Sequence, residues 1–256
     1  MKKIVSIMLI MIIAISLVAC GTKKEENNTV DNTTKEKLIV GTEPGFAPYE
    51  YMEGDKVVGI DMDIAQAIAD AMGKELEIKP MDFDGALLAV QQGKVDFVAA
   101  GVSVDEDRLK AMDFSDEYVN STEVVVTLKD NAKVASVDDL NDKIIGVQQG
   151  NIADIYVSNP DNIAAKEVKR YKKFAQASED LKNGKIDCIV MDLYPAQELV
   201  AANNDLVILD GVLFEDKYAI AVKKGNKELL DQINEVIKQL IADGKIEEFT
   251  AKHTSK

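Results

Sequence analysis

The sequence predicts an α/β protein of two lobes joined by two long strands, with a cleft between the lobes. Three observations predict it. Short apolar runs rich in β-branched residues alternate with amphipathic helical segments, the pattern of parallel α/β structure. A motif of phenylalanine, nine residues and Gly-Lys-[Val/Ile]-Asp occurs twice, as Phe83, Gly93, Lys94, Val95, Asp96 and as Phe174, Gly184, Lys185, Ile186, Asp187. That is a weak internal repeat, although helix-stop-then-strand patterns also recur by chance. Two long strand-like runs, 121–128 and 216–222, bracket the second copy and suit an outward and a return crossing.

The chain opens with Lys2-Lys3, an apolar run over 4–18 and the small residues before Cys20. A charged start, an apolar centre and a small-residue end read as a secretory signal, short of the roughly 20 residues of a membrane span. Residues 22–37 contain one apolar residue, Val30, and read as a flexible tether. The folded body begins with a strand over 37–42, then a loop carrying Glu43, Pro44, Gly45, Phe46, Ala47 and Pro48. Runs 49–52 and 57–60 flank Glu53-Gly54-Asp55-Lys56 as a hairpin. Asp61 is expected to cap a helix with Ile64, Ala65, Ile68, Ala71 and Met72 on its apolar face, stopped by Gly73. A strand over 76–79, a helix over 84–92 and a strand over 95–100 follow. In the second lobe, Cys188 sits in an apolar strand and reads as a buried thiol. A helix over 194–202 follows, with Pro195 in its first turn. The chain ends in a helix with Leu229, Leu230, Ile233, Val236, Ile237, Leu240 and Ile241 on one face, broken at Asp243-Gly244. The expected division is 1–20 signal, 21–36 tether, 37–125 with 219–256 as lobe 1, and 126–218 as lobe 2.

Composition excludes several functions. A net charge of −15 argues against nucleic acid as a partner. The single histidine, His253, lies at the C-terminal end, which argues against a Ser-His-Asp or Cys-His mechanism and against a histidine-rich metal site. Neither a metal nor a cofactor is expected.

Ligands of α/β sheets sit beyond the carboxyl ends of strands. That places Glu43 to Phe46 and Ala100 to Arg108 on one rim. Only Arg108 and Arg170 among thirty basic residues are arginine. The guanidinium fork of Arg108, with Ser103 and the amides around Gly101, suits a carboxylate; an exposed arginine at a helix start is the plain alternative. Sliding one repeat onto the other sets Asp192 against Gly101, at a strand end in the other lobe. Asp192 can receive an ammonium group or simply cap the following helix. Phe46 and Phe83 can pack on a ligand or in the core. A ligand with a carboxylate and an ammonium a few ångströms apart is an α-amino acid, and a few charge-assisted hydrogen bonds reach micromolar affinity.

These segments together resemble a known family. Gly41-Thr42-Glu43-Pro44-Gly45-Phe46-Ala47-Pro48-Tyr49-Glu50, Val58-Gly59-Ile60-Asp61-Met62-Asp63, Ser103-Val104-Asp105-Glu106-Asp107-Arg108, Asp113-Phe114-Ser115 and Gly146-Val147-Gln148-Gln149-Gly150 are similar to polar amino-acid substrate-binding proteins of ABC importers, over residues 37–252. The resemblance implies a periplasmic-binding-protein-like fold with two hinge strands. It implies that Arg108 clamps the ligand carboxylate with Ser103, that Ala100 and Gly101 contact its charged ends, and that Asp192 receives the ammonium. Phe46 and Phe83 would sandwich the side chain, Glu43 would hold a cationic side chain, and the loop of Gln149, Gly150, Asn151 and Ile152 would donate amides. Asn151 departs from the family's hydroxyl there, and Glu43 is one methylene longer than its usual aspartate. Cys20 resembles a lipobox cysteine, implying lipid attachment and an extracytoplasmic, membrane-anchored protein. The implied partners are a free amino acid, arginine-, lysine- or ornithine-like, and the permease subunits, with the chain acting as a monomer and not an enzyme. A dehydratase-like enzyme on the same fold is the alternative.

Overall fold

The computed structural model describes residues 35–254. The signal, Cys20 and the tether as far as residue 34 lie outside the described residues. The first lobe opens with β1 (Lys37–Thr42), then β2 (Gly45–Phe46), β3 (Glu50–Glu53), β4 (Lys56–Val58), α1 (Ile60–Ala71), β5 (Glu75–Pro80), α2 (Phe83–Gln91), β6 (Phe97–Val98), α3 (Glu106–Ala111) and β7 (Met112–Phe114). The second lobe comprises β8 (Val119–Leu128), β9 (Ile144–Gln148), α4 (Ile152–Ser158), β10 (Glu167–Tyr171), α5 (Phe174–Lys182), β11 (Cys188–Asp192), α6 (Leu193–Ala201), β12 (Leu206–Ile208) and β13 (Phe214–Tyr218). The chain returns with β14 (Ala221–Lys223), α7 (Lys227–Ala242) and α8 (Lys245–Thr254), and these helices pack on α1. Among the described residues no helix is long and apolar enough to cross a membrane.

The first sheet has the order β5-β1-β6-β14-β7 and the second β10-β9-β11-β8-β12, with β13 also on β8. Strands inside each repeat pair in parallel, β1 with β5 and β6, β9 with β10 and β11. The connecting strands β8, β12, β13 and β14 pair antiparallel, so each sheet is mixed and not wholly parallel. Two strands that carry the chain out and back must run in opposite senses. Every residue of β8 that pairs does so within the second sheet. The passages between sheets are therefore 115–118 and 219–220, whereas the sequence placed the first at 125/126. They hold each other: the Ser115 amide donates to the Ile220 carbonyl at 2.9 Å and the Tyr118 amide to the Tyr218 carbonyl at 3.0 Å.

The repeat is built alike in both lobes. Phe83 and Phe174 open α2 and α5 and are buried. Both helices end ahead of a glycine in the left-handed region, Gly93 at φ 70° and Gly184 at φ 68°. In both, the following aspartate clamps the first strand of its lobe. The Asp96 carboxylate accepts from the Ile39 amide at 2.7 Å and Asp187 from the Ile144 amide at 2.8 Å. The two aspartate amides donate back to the Ile39 and Ile144 carbonyls. Asp61 does not cap α1, whose N-cap position is Gly59 with no side-chain bond. It is buried in the first turn and serves the site instead.

Candidate functional site

The two lobes meet where the strand ends face each other. Arg108, on α3, is 7% exposed. Asp105 caps that helix by accepting from the Asp107 amide at 2.8 Å and holds the guanidinium through Nε at 3.0 Å. Arg108 Nη1 donates to the Ser103 carbonyl at 2.6 Å, and Nη2 reaches across the cleft to the Gly150 carbonyl at 2.8 Å. The Phe83 ring centroid lies 5.6 Å from Cζ, so Phe83 supports the guanidinium by a cation–π contact. Burial lowers the Arg108 pKa while Asp105, Asp216 and Asp192 oppose that effect.

Gly101 corrects an expectation. Its amide donates to the buried Asp61 carboxylate at 2.8 Å, so it is not turned to a ligand carboxylate. Asp61 also accepts from the Tyr118 hydroxyl at 2.7 Å, and its pKa is pushed up to about 6, chiefly by burial. What Gly101 supplies is a turn at φ 54° and space: a Cβ there would lie 2.7 Å from the Phe46 ring. Ala100 is buried in the same apolar cluster as Phe83. The Ser103 hydroxyl donates to Asp216 at 2.5 Å, which sequence reasoning did not foresee.

At the far end of the first rim, Glu43 is 1% exposed. It accepts from Gln148 Nε2 of the second lobe at 3.0 Å, and Lys173 Nζ lies 3.8 Å from its other oxygen. Burial raises its carboxyl pKa, while Lys173 and Gln148 oppose the rise. Phe46 stacks on Tyr49 at 5.7 Å and on Phe174 of the second lobe at 6.2 Å. Phe46 and Phe83 thus serve different contacts.

The second-lobe loop is used in ways its spacing did not show. Gln149 donates to Asp84 of the first lobe at 2.7 Å. Asn151 caps α4, its oxygen accepting from the Ala153 amide at 3.0 Å. The Asn151 amide is thus committed within the second lobe, its Nδ2 donating to Gln148 Oε1 at 3.5 Å. Ile152, half-buried, begins the helix.

Asp192 occupies the N-cap position of α6 yet makes no side-chain cap bond, so its carboxylate does not serve as the cap that one sequence reading expected. It is fully buried, accepts from the Tyr218 hydroxyl and from Ser121 at 3.3 Å, and among the described residues nothing bonds its Oδ2. Burial and then Asp216 push its pKa up to about 7. Sequence reasoning missed its neighbours Glu123, Asp216 and Tyr218. The one signal for Glu123 was a charge inside the apolar run of β8. Carboxylate oxygens of Glu123, Asp192 and Asp216 lie within 4.8 Å of one another, a set able to hold a cation. His253, the excluded catalytic histidine, bonds Tyr51 at 3.0 Å and Asp63 at 2.9 Å in the body of the first lobe.

Comparison with known proteins gives the family and the fold. The family model for bacterial extracellular solute-binding proteins, family 3, matches residues 38–256. The arginine-binding extracellular protein ArtP of Bacillus subtilis (strain 168) is 31% identical, covering 98% of each chain. The L-cystine-binding protein TcyJ of Escherichia coli (strain K12) is 29% identical over 94% of this chain and 92% of its own. Among solved structures, the arginine-bound form of truncated ArgBP from T. maritima is 39% identical with a TM-score of 0.74, covering 80% of this chain and 96% of that one.

Proposed function

The chain belongs to the bacterial extracellular solute-binding proteins, family 3, and from that premise we propose that it captures a cationic L-amino acid between its lobes and delivers it to an ABC permease. The observation that carries the reading is the charge balance of the buried cleft. Arg108 is the cation at one pole, while Asp192 and Glu43 present buried carboxylates, each with an oxygen lacking a hydrogen bond. A buried charge is costly unless paired. A ligand with one carboxylate and two cationic groups complements those poles: carboxylate to the Arg108 N–H groups left over by Asp105, Ser103 and Gly150, α-ammonium to Asp192, and side-chain cation to the Glu43 oxygen that lies 3.8 Å from Lys173. The arginine-binding relative and the arginine-bound neighbour support this ligand class. The family consists of solute-binding proteins, which favours capture without turnover over the dehydratase-like alternative. Lipid attachment at Cys20 belongs to the same proposal and rests on the sequence around it.

A thermal-shift screen of arginine, lysine, ornithine, histidine, glutamine and cystine tests the reading. At a hundredfold excess over Kd, binding stabilises by about 2.7 kcal/mol, or about 5–10 °C for a chain of this size. The largest shift is expected with a cationic ligand, and Glu43→Gln should remove that preference while sparing neutral ligands. No shift with any amino acid would sink amino-acid binding. A larger shift with neutral ligands would sink only the cationic assignment.

A further inference from the structure

Glu123 lies directly opposite Asp192 in the antiparallel register of β8 and β11. Two carboxylates placed cross-strand on one face repel, and burial removes the water that would screen them. Glu123 is fully buried, and among the described residues no group donates a hydrogen bond to either of its oxygens. One strand further, Asp216 faces Ser121 in the β13–β8 register, closing a patch of three carboxylates over three neighbouring strands. The groups around the patch are Tyr218 and Ser121, which donate to Asp192, Ser103, which donates to Asp216, and Arg108 and Asp105 of the first lobe, which interact with Asp216. The Asp192 charge also acts on the buried Glu50 and Tyr49 of the first lobe. Among the described residues none of the three forms a lysine or arginine ion pair, and Arg108 acts on Asp216 only through space. Such a patch persists only if it holds a proton or takes up a cation.

We propose that Glu123 is a specificity-determining carboxylate for the ligand's amino end, forming with Asp192 a two-carboxylate receptor that exchanges a shared proton for an ammonium group. This rests on the amino-acid reading above and extends it. In the free protein the pair holds one proton between its facing oxygens. An entering ammonium donates to both carboxylates, and the proton leaves to solvent, so charge balances: one positive charge enters the patch and one leaves. The direction of the shifts agrees, with Glu123 held well above the ordinary carboxylate range by burial and then by Asp192. Because binding releases a proton, affinity rises with pH as long as the free pair is protonated, by up to about tenfold per pH unit. The rise continues up to the pH at which the free pair gives up its proton, which lies above the ordinary carboxylate range because burial and mutual repulsion hold both Glu123 and Asp192 up.

The test is calorimetric titration of the intact protein with L-arginine at pH 6, 7 and 8, in buffers of different ionisation enthalpy. Wild-type protein is expected to release up to one proton per ligand at pH 7 and to bind at least tenfold more tightly at pH 8 than at pH 6. Glu123→Gln keeps the shape and should release less than half as many protons, with a flattened pH dependence. Wild-type binding with no proton release would overturn this inference alone, as would a Glu123→Gln protein that binds with unchanged release. If L-arginine and the other screened amino acids all fail to bind, the underlying reading falls and this inference with it. Calcium alone releasing the same proton and blocking L-arginine would overturn the assignment to an ammonium group.

Discussion

In the first lobe the strand after the repeated aspartate is β6, two residues long, and the chain leaves it through Gly101 towards Arg108. In the second lobe the equivalent strand is β11, five residues long, and it ends on Asp192. The helices before these strands, the glycines that stop them and the aspartates that clamp the lobe's first strand are the same. The strand ends differ in sign. A guanidinium held by Asp105 and backed by Phe83 stands on one side; Asp192 with Glu123 stands on the other. A duplicated scaffold can therefore present a dipolar ligand with two opposite poles while the core beneath stays common. The poles also differ in saturation. Arg108 already commits three of its five N–H donors to Ser103, Gly150 and Asp105, whereas the carboxylate pole retains buried oxygens that no described group bonds.

Removing the positive pole is the harshest way to break this comparison. Arg108→Ala should abolish amino-acid binding measurable by calorimetry. Two charge-assisted hydrogen bonds at about 1.5–3 kcal/mol each correspond to a loss of at least about a hundredfold. Arg108→Lys keeps the charge but loses the fork that spans Ser103 and Gly150, and should recover only a small part of the affinity. Wild-type affinity in Arg108→Ala would show that the positive pole is structural and that the ligand lies elsewhere.

The scaffold half of the comparison is tested by two matched substitutions. Asp96→Ala and Asp187→Ala each leave a strand amide, that of Ile39 or Ile144, without its acceptor. Each should cost about 1–3 kcal/mol in urea unfolding monitored by circular dichroism. A loss in one lobe only would mean that the repeat is shared in shape and not in energetics. The two need not be identical, since Asp187 also pairs with Lys133 at 2.7 Å. Burial raises the Asp187 pKa, but the Ile144 amide and Lys133 outweigh it and hold the carboxyl below its ordinary value. Its contribution is therefore present above the ordinary carboxylate range and is lost as pH falls through the depressed value. In Asp187→Ala that acid sensitivity should be reduced.

How far the sequence revealed this depends on where each residue's signal lies. The repeat was legible because Gly-Lys-[Val/Ile]-Asp records local geometry: a left-handed helix stop and a clamp of short reach. Asp192 followed from it by translation. Glu123 and Asp216 did not, because their partnership exists only after three strands align in register, and each stands in a run that reads as a crossing strand. Asp61 was mistaken for a cap because an aspartate just before an apolar helical run has that signature. Its actual partner, the Gly101 amide, is forty residues away in sequence. The place where the chain changes sheets was set eight to ten residues too late, since the β-branched run over 124–127 reads as a crossing strand although all of β8 pairs within the second sheet.

The smallest expected effect concerns the contacts that join the lobes outside the poles. Lys172 pairs with Asp82 across the cleft, at 55% and 38% side-chain exposure. Gln148 reaches Glu43, which is buried. Exposed ion pairs gain little because water and salt screen them and two long side chains must be ordered. Lys172→Ala should therefore weaken L-arginine binding by no more than about threefold. The difference from wild type should shrink between 50 mM and 500 mM NaCl, while the Arg108 defect should persist because that guanidinium is shielded from salt. A tenfold or salt-insensitive loss in Lys172→Ala would move the rim from a screened contact to a determinant of closure. The comparison would then have to include a third, lateral pole beside the two at the strand ends.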